Sequence, residues 1–121
     1  MLARDEAEHP IPEQWRSMFR QIADAFVAGD YQLRDHPIEG VVPPDPERAK
    51  IIADNIAAYG DPLAPLSDET WDRSVYLWME GYWQVLVDLS TAGESVSDLT
   101  LHGKLREPDG SLFEIDLVYV P

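Results

Sequence analysis

The residues best suited to chemistry in this sequence are His102 and Asp116. Both fall on the polar side of alternating segments, Thr100-His102-Lys104-Arg106 and Glu114-Asp116. A hairpin aligning those segments would set an imidazole beside a carboxylate, the arrangement of a general base and its orienter. No nucleophile stands beside the pair, and a cross-strand salt bridge accounts for it without catalysis. Asp88 and Asp116 could in principle hold a cation, yet two carboxylates on a charged surface are too few oxygens to define a metal site. His9 and His36 each precede a proline in loop-like sequence. There is no glycine-rich phosphate loop, no HExxH and no serine elbow. With no cysteine present, disulfides, thiolate metal sites and cysteine nucleophiles are excluded. The expectation is no catalytic residue, no metal and no cofactor.

What remains is charge. Nine Lys and Arg against 23 Asp and Glu give a formal net charge of −14, and the excess covers both halves of the chain. Such a field disfavours nucleic acid and anionic membrane and attracts basic protein partners. The cluster Asp68, Glu69 and Asp72 could meet such a partner, or serve only as a solvated loop. At 121 residues and 45% hydrophobic, the chain fits a single folded domain over 1–121, with residues 1–10 as a loose lead-in. No apolar run reaches membrane-spanning length, and "MLARDEAEHP" lacks the apolar segment of a signal peptide. A cytoplasmic protein is expected.

The elements that would position these groups can be read from periodicity. From Pro12 to Ala28, Trp15, Met18, Phe19, Ile22 and Phe26 recur at helical spacing, with Gly29 as a left-handed terminator. "DPERAKIIADNIAAYGDP" carries a second helix: Asp45 as N-cap, Pro46 in the first turn, Glu47 at the positive end, and Gly60 closing it. One helical turn can follow Ser67. From Ser74 the period changes to two, predicting strands over 74–79, 82–90, 99–107 and 111–120. Short connections make these an antiparallel meander. The predicted fold class is α+β, with two N-terminal helices packed on one face of a four-stranded sheet.

In "YWQVLVDLST", Trp83, Val85, Val87 and Leu89 face one way, and Tyr82, Gln84, Asp88 and Ser90 the other, with Leu86 an apolar group on the polar side. In the last hairpin a three-residue loop, Pro108-Asp109-Gly110, sets Leu105 opposite Phe113 and keeps the faces unmixed. Lys104 then falls opposite Glu114 and His102 opposite Asp116. The inner face would hold Trp83, Val85, Val87, Leu101, Phe113, Ile115 and Leu117. The first hairpin admits two registers. A two-residue turn at Glu80-Gly81 sends Tyr76 and Trp78 into the core. A loop of Met79-Glu80-Gly81 with a glycine bulge stands them with Tyr82 and Leu86 on the open face. The bulge is preferred because the last hairpin uses one. The resulting aromatic patch beside carboxylates gives the candidate partner-binding residues: Tyr76, Trp78, Tyr82, Leu86, Asp88, Asp68, Glu69 and Asp72. A tail of the chain or a second copy, forming a homodimer, could instead cover the same face, or these rings could be core.

"EGVVPPDPERAKIIADNIAAYGDPLAPLSDETWDRS", followed by "YWQVLVDLST", "SDLTL" and "FEIDLVYVP", resembles a family of small, uncharacterised bacterial proteins ending in a VYVP-like strand. The likeness spans roughly Asp30 to Pro121 and carries no assigned activity. Its general character, small, acidic and α+β, is similar to immunity proteins that neutralise bacterial toxins. "AFVAGDY" also resembles the opening of nuclear-transport-factor-2-like cone folds, but the segment after it departs from that pattern. Two functions follow as expectations. One is a non-catalytic interaction domain, immunity- or antitoxin-like, binding a basic partner. The other is a small-molecule binder or enzyme with a pocket between helices and sheet.

Overall fold

The computed structural model describes residues 2–106 and 112–121. Helical spacing becomes α1, Glu13–Val27, and α2, Pro46–Tyr59. Pro12 is the residue preceding α1, and Gly29, at φ 80°, turns the chain away after it. At the start of α2 the Asp45 carboxylate accepts the Arg48 N–H at 2.8 Å, and Gly60 at φ 83° ends the helix. The turn after Ser67 is a 3₁₀ helix, Asp68–Asp72, whose start is capped by the Ser67 hydroxyl, which accepts the Glu69 N–H at 3.2 Å.

Eight strands lie among the described residues: β1 His9–Pro10, β2 Val41–Val42, β3 Leu63–Ala64, β4 Val75–Trp78, β5 Tyr82–Asp88, β6 Ser90–Thr91, β7 Thr100–Arg106 and β8 Phe113–Tyr119. Six form one sheet in the order β1-β4-β5-β7-β8-β2, and β3 pairs with β6 separately. All neighbours in the large sheet are antiparallel except β2, which lies parallel to β8. The expected meander is the centre of this sheet. The expectation of four strands fails because two-residue strands flank it on both sides, and two residues carry no period to read.

Alternation in β5 sets the core. Trp83, Val85, Val87 and Leu89 are all at most 2% exposed, while Gln84, Leu86 and Asp88 are half-buried. They join Leu101, Leu105, Phe113, Ile115 and Val118 in one cluster with Phe19, Ile22 and Phe26 of α1 and Ile52 and Ile56 of α2. Phe19 meets Phe113 edge-on at 5.0 Å. Phe113 in turn lies across Gly103, where a Cβ would come within 2.2 Å of its ring. The α2 helix runs along β8, and Asn55 Nδ2 donates to the Val118 carbonyl at 2.9 Å. That bond occupies a backbone acceptor on β8 beyond Phe113 and Glu114, the two residues that β2 pairs with.

The two hairpins correct two expectations. Tyr76 pairs with Val85 and Trp78 with Trp83, and the Met79 N–H donates to the Tyr82 carbonyl at 2.8 Å. Glu80-Gly81 is therefore a two-residue turn, with both residues at positive φ, 58° and 122°. The preferred glycine bulge is overturned, and Tyr76 becomes a core residue at 6% exposure. In the last hairpin Leu105 pairs with Phe113 and Lys104 with Glu114 as expected, while the Pro108-Asp109-Gly110 loop lies outside the described residues. The register then shifts: Gly103 pairs with Ile115, but His102 pairs with Leu117. Asp116 is the extra residue of a β-bulge. Beyond it the faces exchange, so Val118 is buried beside Leu101 and Leu117 turns outward, contrary to the expected inner face.

The lead-in makes defined contacts. Leu2 is buried, the Ala3 N–H donates to the Tyr76 hydroxyl at 3.0 Å, and the Trp83 indole N–H donates to the Ala3 carbonyl at 2.8 Å.

Candidate functional site

The outer face of the meander is built by register. Val75 pairs with Leu86, Leu86 with His102, and His102 with Leu117, giving a transverse row across four strands. Three of its members are apolar and half-buried. Leu77, Gln84, Lys104 and Glu114 form the row on one side, and Asp88, Thr100 and Tyr119 the row on the other. Tyr82 lies opposite Arg106 at the far end.

At the middle sits His102. Only 8% of its surface is exposed, and its ring stacks on Tyr119 with centroids 4.1 Å apart and planes 13° from parallel. Its Nε2 is buried and has no hydrogen-bond partner. Burial holds the imidazole pKa below its ordinary value, against the opposing pull of the Asp116 and Asp88 carboxylates. The expected facing of His102 and Asp116 does not form, because the bulge carries Asp116 away towards Arg48 of α2, 3.4 Å distant. No hydrogen bond links the two side chains. Asp88 is likewise taken: Arg73 Nε lies 3.2 Å away, and the Thr100 hydroxyl donates to it at 3.0 Å. Among the described residues no group of three or more His, Asp or Glu is placed to hold a metal ion.

Charge on this face is balanced. Arg106 binds Glu114 at 2.6 Å, and both Lys104 and Arg106 lie over the Tyr82 ring, at 5.0 and 5.8 Å. Of the carboxylates expected to attract a basic partner, Asp88 and Asp68 have arginines of their own, Arg73 and Arg20.

The predicted site residues separate into three groups. Tyr82, Leu86 and Asp88 stand on the outer face as expected. Tyr76 and Trp78 point to the inner side, where Trp78 packs on Trp83 with centroids 5.0 Å apart and Tyr76 stacks on His9. Asp68, Glu69 and Asp72 lie on the 3₁₀ helix, where Asp68 reaches Arg20 of α1 at 3.0 Å. Val75, Leu117 and Tyr119 complete the outer face and were not anticipated. The doublet Leu117-Val118 is the one signal that could have placed Leu117 there, since two adjacent apolar residues cannot both face inward.

The model of a family described as a domain of unknown function (DUF7668) matches residues 23–121. The chain belongs to that family. The DUF7668 match takes in only the C-terminal end of α1, from Ala23 to Val27, with all of α2 and the meander with its outer face. It leaves out the segment that docks on Tyr76 and Trp83. No curated protein and no solved structure matches the chain. Among the described residues no helix is long and apolar enough to cross a membrane.

Proposed function

We propose that this protein is a non-catalytic interaction domain that receives a basic protein partner on the outer face of its sheet. In this reading both helices cover the inner face, and the row Val75-Leu86-His102-Leu117 is the contact. The observation that carries the proposal is that row: half-buried apolar side chains around an imidazole nitrogen that lacks a partner. A net charge of −14 would steer a basic partner in from a distance, while the paired arginines and carboxylates around the row would form a polar rim. The pocket reading has less behind it: between α1 and the sheet Phe19 packs edge-on against Phe113.

Inhibition of a basic toxin, as an immunity or antitoxin protein of a bacterium, is the finer form of this reading. The test uses the unaltered chain and a Leu86→Asp/Leu117→Asp variant as bait in lysate of the native host. The unaltered chain is expected to retain a basic protein that raised salt releases. The variant should lose it while keeping its melting temperature. Retention that ignores the two substitutions, or no salt-sensitive partner at all, overturns the proposal. Relief of the partner's toxicity on co-expression would identify the immunity form.

A further inference from the structure

A second surface, on the inner side of the first hairpin, is already occupied by the chain itself. Tyr76 and Trp83 grip one residue of the lead-in by its backbone: the Tyr76 hydroxyl accepts the Ala3 N–H at 3.0 Å, and the Trp83 indole donates to the Ala3 carbonyl at 2.8 Å. This grip ignores side-chain identity, as strand-like peptide recognition does. Specificity comes from the neighbours on either side. Leu2 is buried, and the Arg4 guanidinium lies 5.2 Å from the Trp78 ring and 5.3 Å from that of Trp83. Two tryptophans beside one guanidinium form a cation-binding cradle. Beyond Arg4 the segment 4–8 is exposed and joins no strand until His9–Pro10 meets β4. The occupant is held through the backbone of Ala3, the buried Leu2 side chain and the Arg4 guanidinium, and the chain returns to the same hairpin at His9, which stacks on Tyr76. It lies outside the family match, whereas Tyr76, Trp78 and Trp83 lie within it.

We infer that Tyr76, Trp78 and Trp83 form a binding site for an extended peptide carrying an arginine after a small and an apolar residue, and that Leu2-Ala3-Arg4 is its exchangeable occupant in cis. The site is independent of the outer face, so either can fail alone. Wherever the lead-in is seated, a peptide in trans must displace a segment tethered at an effective concentration on the order of millimolar.

The test loosens the occupant in the full-length chain with Leu2→Gly/Arg4→Gly. The probe is a synthetic peptide of the sequence of residues 1–10, with a second version in which arginine is replaced by alanine. Tryptophan fluorescence is expected to report saturable binding of the arginine peptide to the loosened chain. Binding to the unaltered chain should be at least about tenfold weaker. The alanine peptide should lose at least about tenfold, and adding Trp78→Ala should abolish binding. No saturable binding to the loosened chain, or equal binding of the two peptides, overturns the inference. Should the loosened chain not fold, the unaltered chain decides. Millimolar arginine peptide should then shift the Trp83 indole N–H resonance and leave that of Trp15 in place, and an unmoved Trp83 signal overturns it.

Discussion

A Cβ at position 103 would sit 2.2 Å from Phe113 Cζ and 2.5 Å from the Glu114 carbonyl oxygen. The ring occupies the space that a side chain would need, and it cannot retreat because Phe19 lies against its other edge at 5.0 Å. Gly103→Ala should therefore cost about 1–3 kcal/mol as an overpacked core, read from the urea midpoint, and Phe113→Leu in the same chain should restore part of it. A second residue, Asp30, fastens the loop after α1. Its carboxylate accepts the N–H groups of Arg34, Asp35 and His36 at 2.9–3.0 Å and contacts the His36 ring at 2.9 Å. These bonds, that of the His36 side chain foremost, hold the Asp30 pKa down from 3.8 to about 2. The folded state thus binds the proton less readily than the unfolded one. The stabilisation is complete above pH 3.8 and disappears as pH falls through about 2. Asp30→Asn should flatten the fall in melting temperature across that window; an unchanged slope would remove the clasp from the account.

At the scale of elements, the first hairpin decides which aromatics are core. Glu80 holds φ at 58°, a conformation that asparagine and glycine adopt with less strain. Glu80→Asn should stabilise the protein by about 0.5–1 kcal/mol, measured by thermal and urea unfolding. A three-residue glycine-bulge loop would make that substitution neutral. The same hairpin shows where the sequence was legible and where it was not. Helix ends were readable because Asp45, Pro46, Gly29 and Gly60 each have a local physical reason to sit there. The burial phase of β5 was readable because alternation directly reports one buried face. The register of β4 was not, since Glu80-Gly81 suits both turns. The choice rests on the pairing of Trp78 with Trp83 and on Ala3 and Arg4, which arrive from far along the chain. Part of the outer face was legible, in Tyr82, Leu86 and Asp88. Leu117 and the fate of Asp116 were hidden, because a bulge breaks the period that the reading depends on.

For the whole molecule, the formal charge of −14 sets long-range behaviour. Self-repulsion opposes the compact state and is screened as the Debye length shrinks from about 30 Å at 0.01 M salt to about 8 Å at 0.15 M. The pairs Arg20–Asp68, Arg48–Asp116, Lys50–Asp54, Arg73–Asp88 and Arg106–Glu114 work in the other direction, but such surface pairs contribute little each. The melting temperature should therefore rise as sodium chloride is added over this range, and a fall would mean that the pairs outweigh the repulsion. The bulge at Asp116 has a consequence for chain length. Strand β8 keeps one pairing phase from Phe113 to Ile115 and another from Leu117 to Tyr119, differing by that single residue. Excising Asp116 would merge the two phases into one uninterrupted ladder with every buried side chain still buried. Excising Val87 from β5 would instead invert the orientation of everything beyond it. A chain shortened at 116 should fold and unfold cooperatively, and one shortened at 87 should not: at its bulge β8 has a position where a codon can be lost.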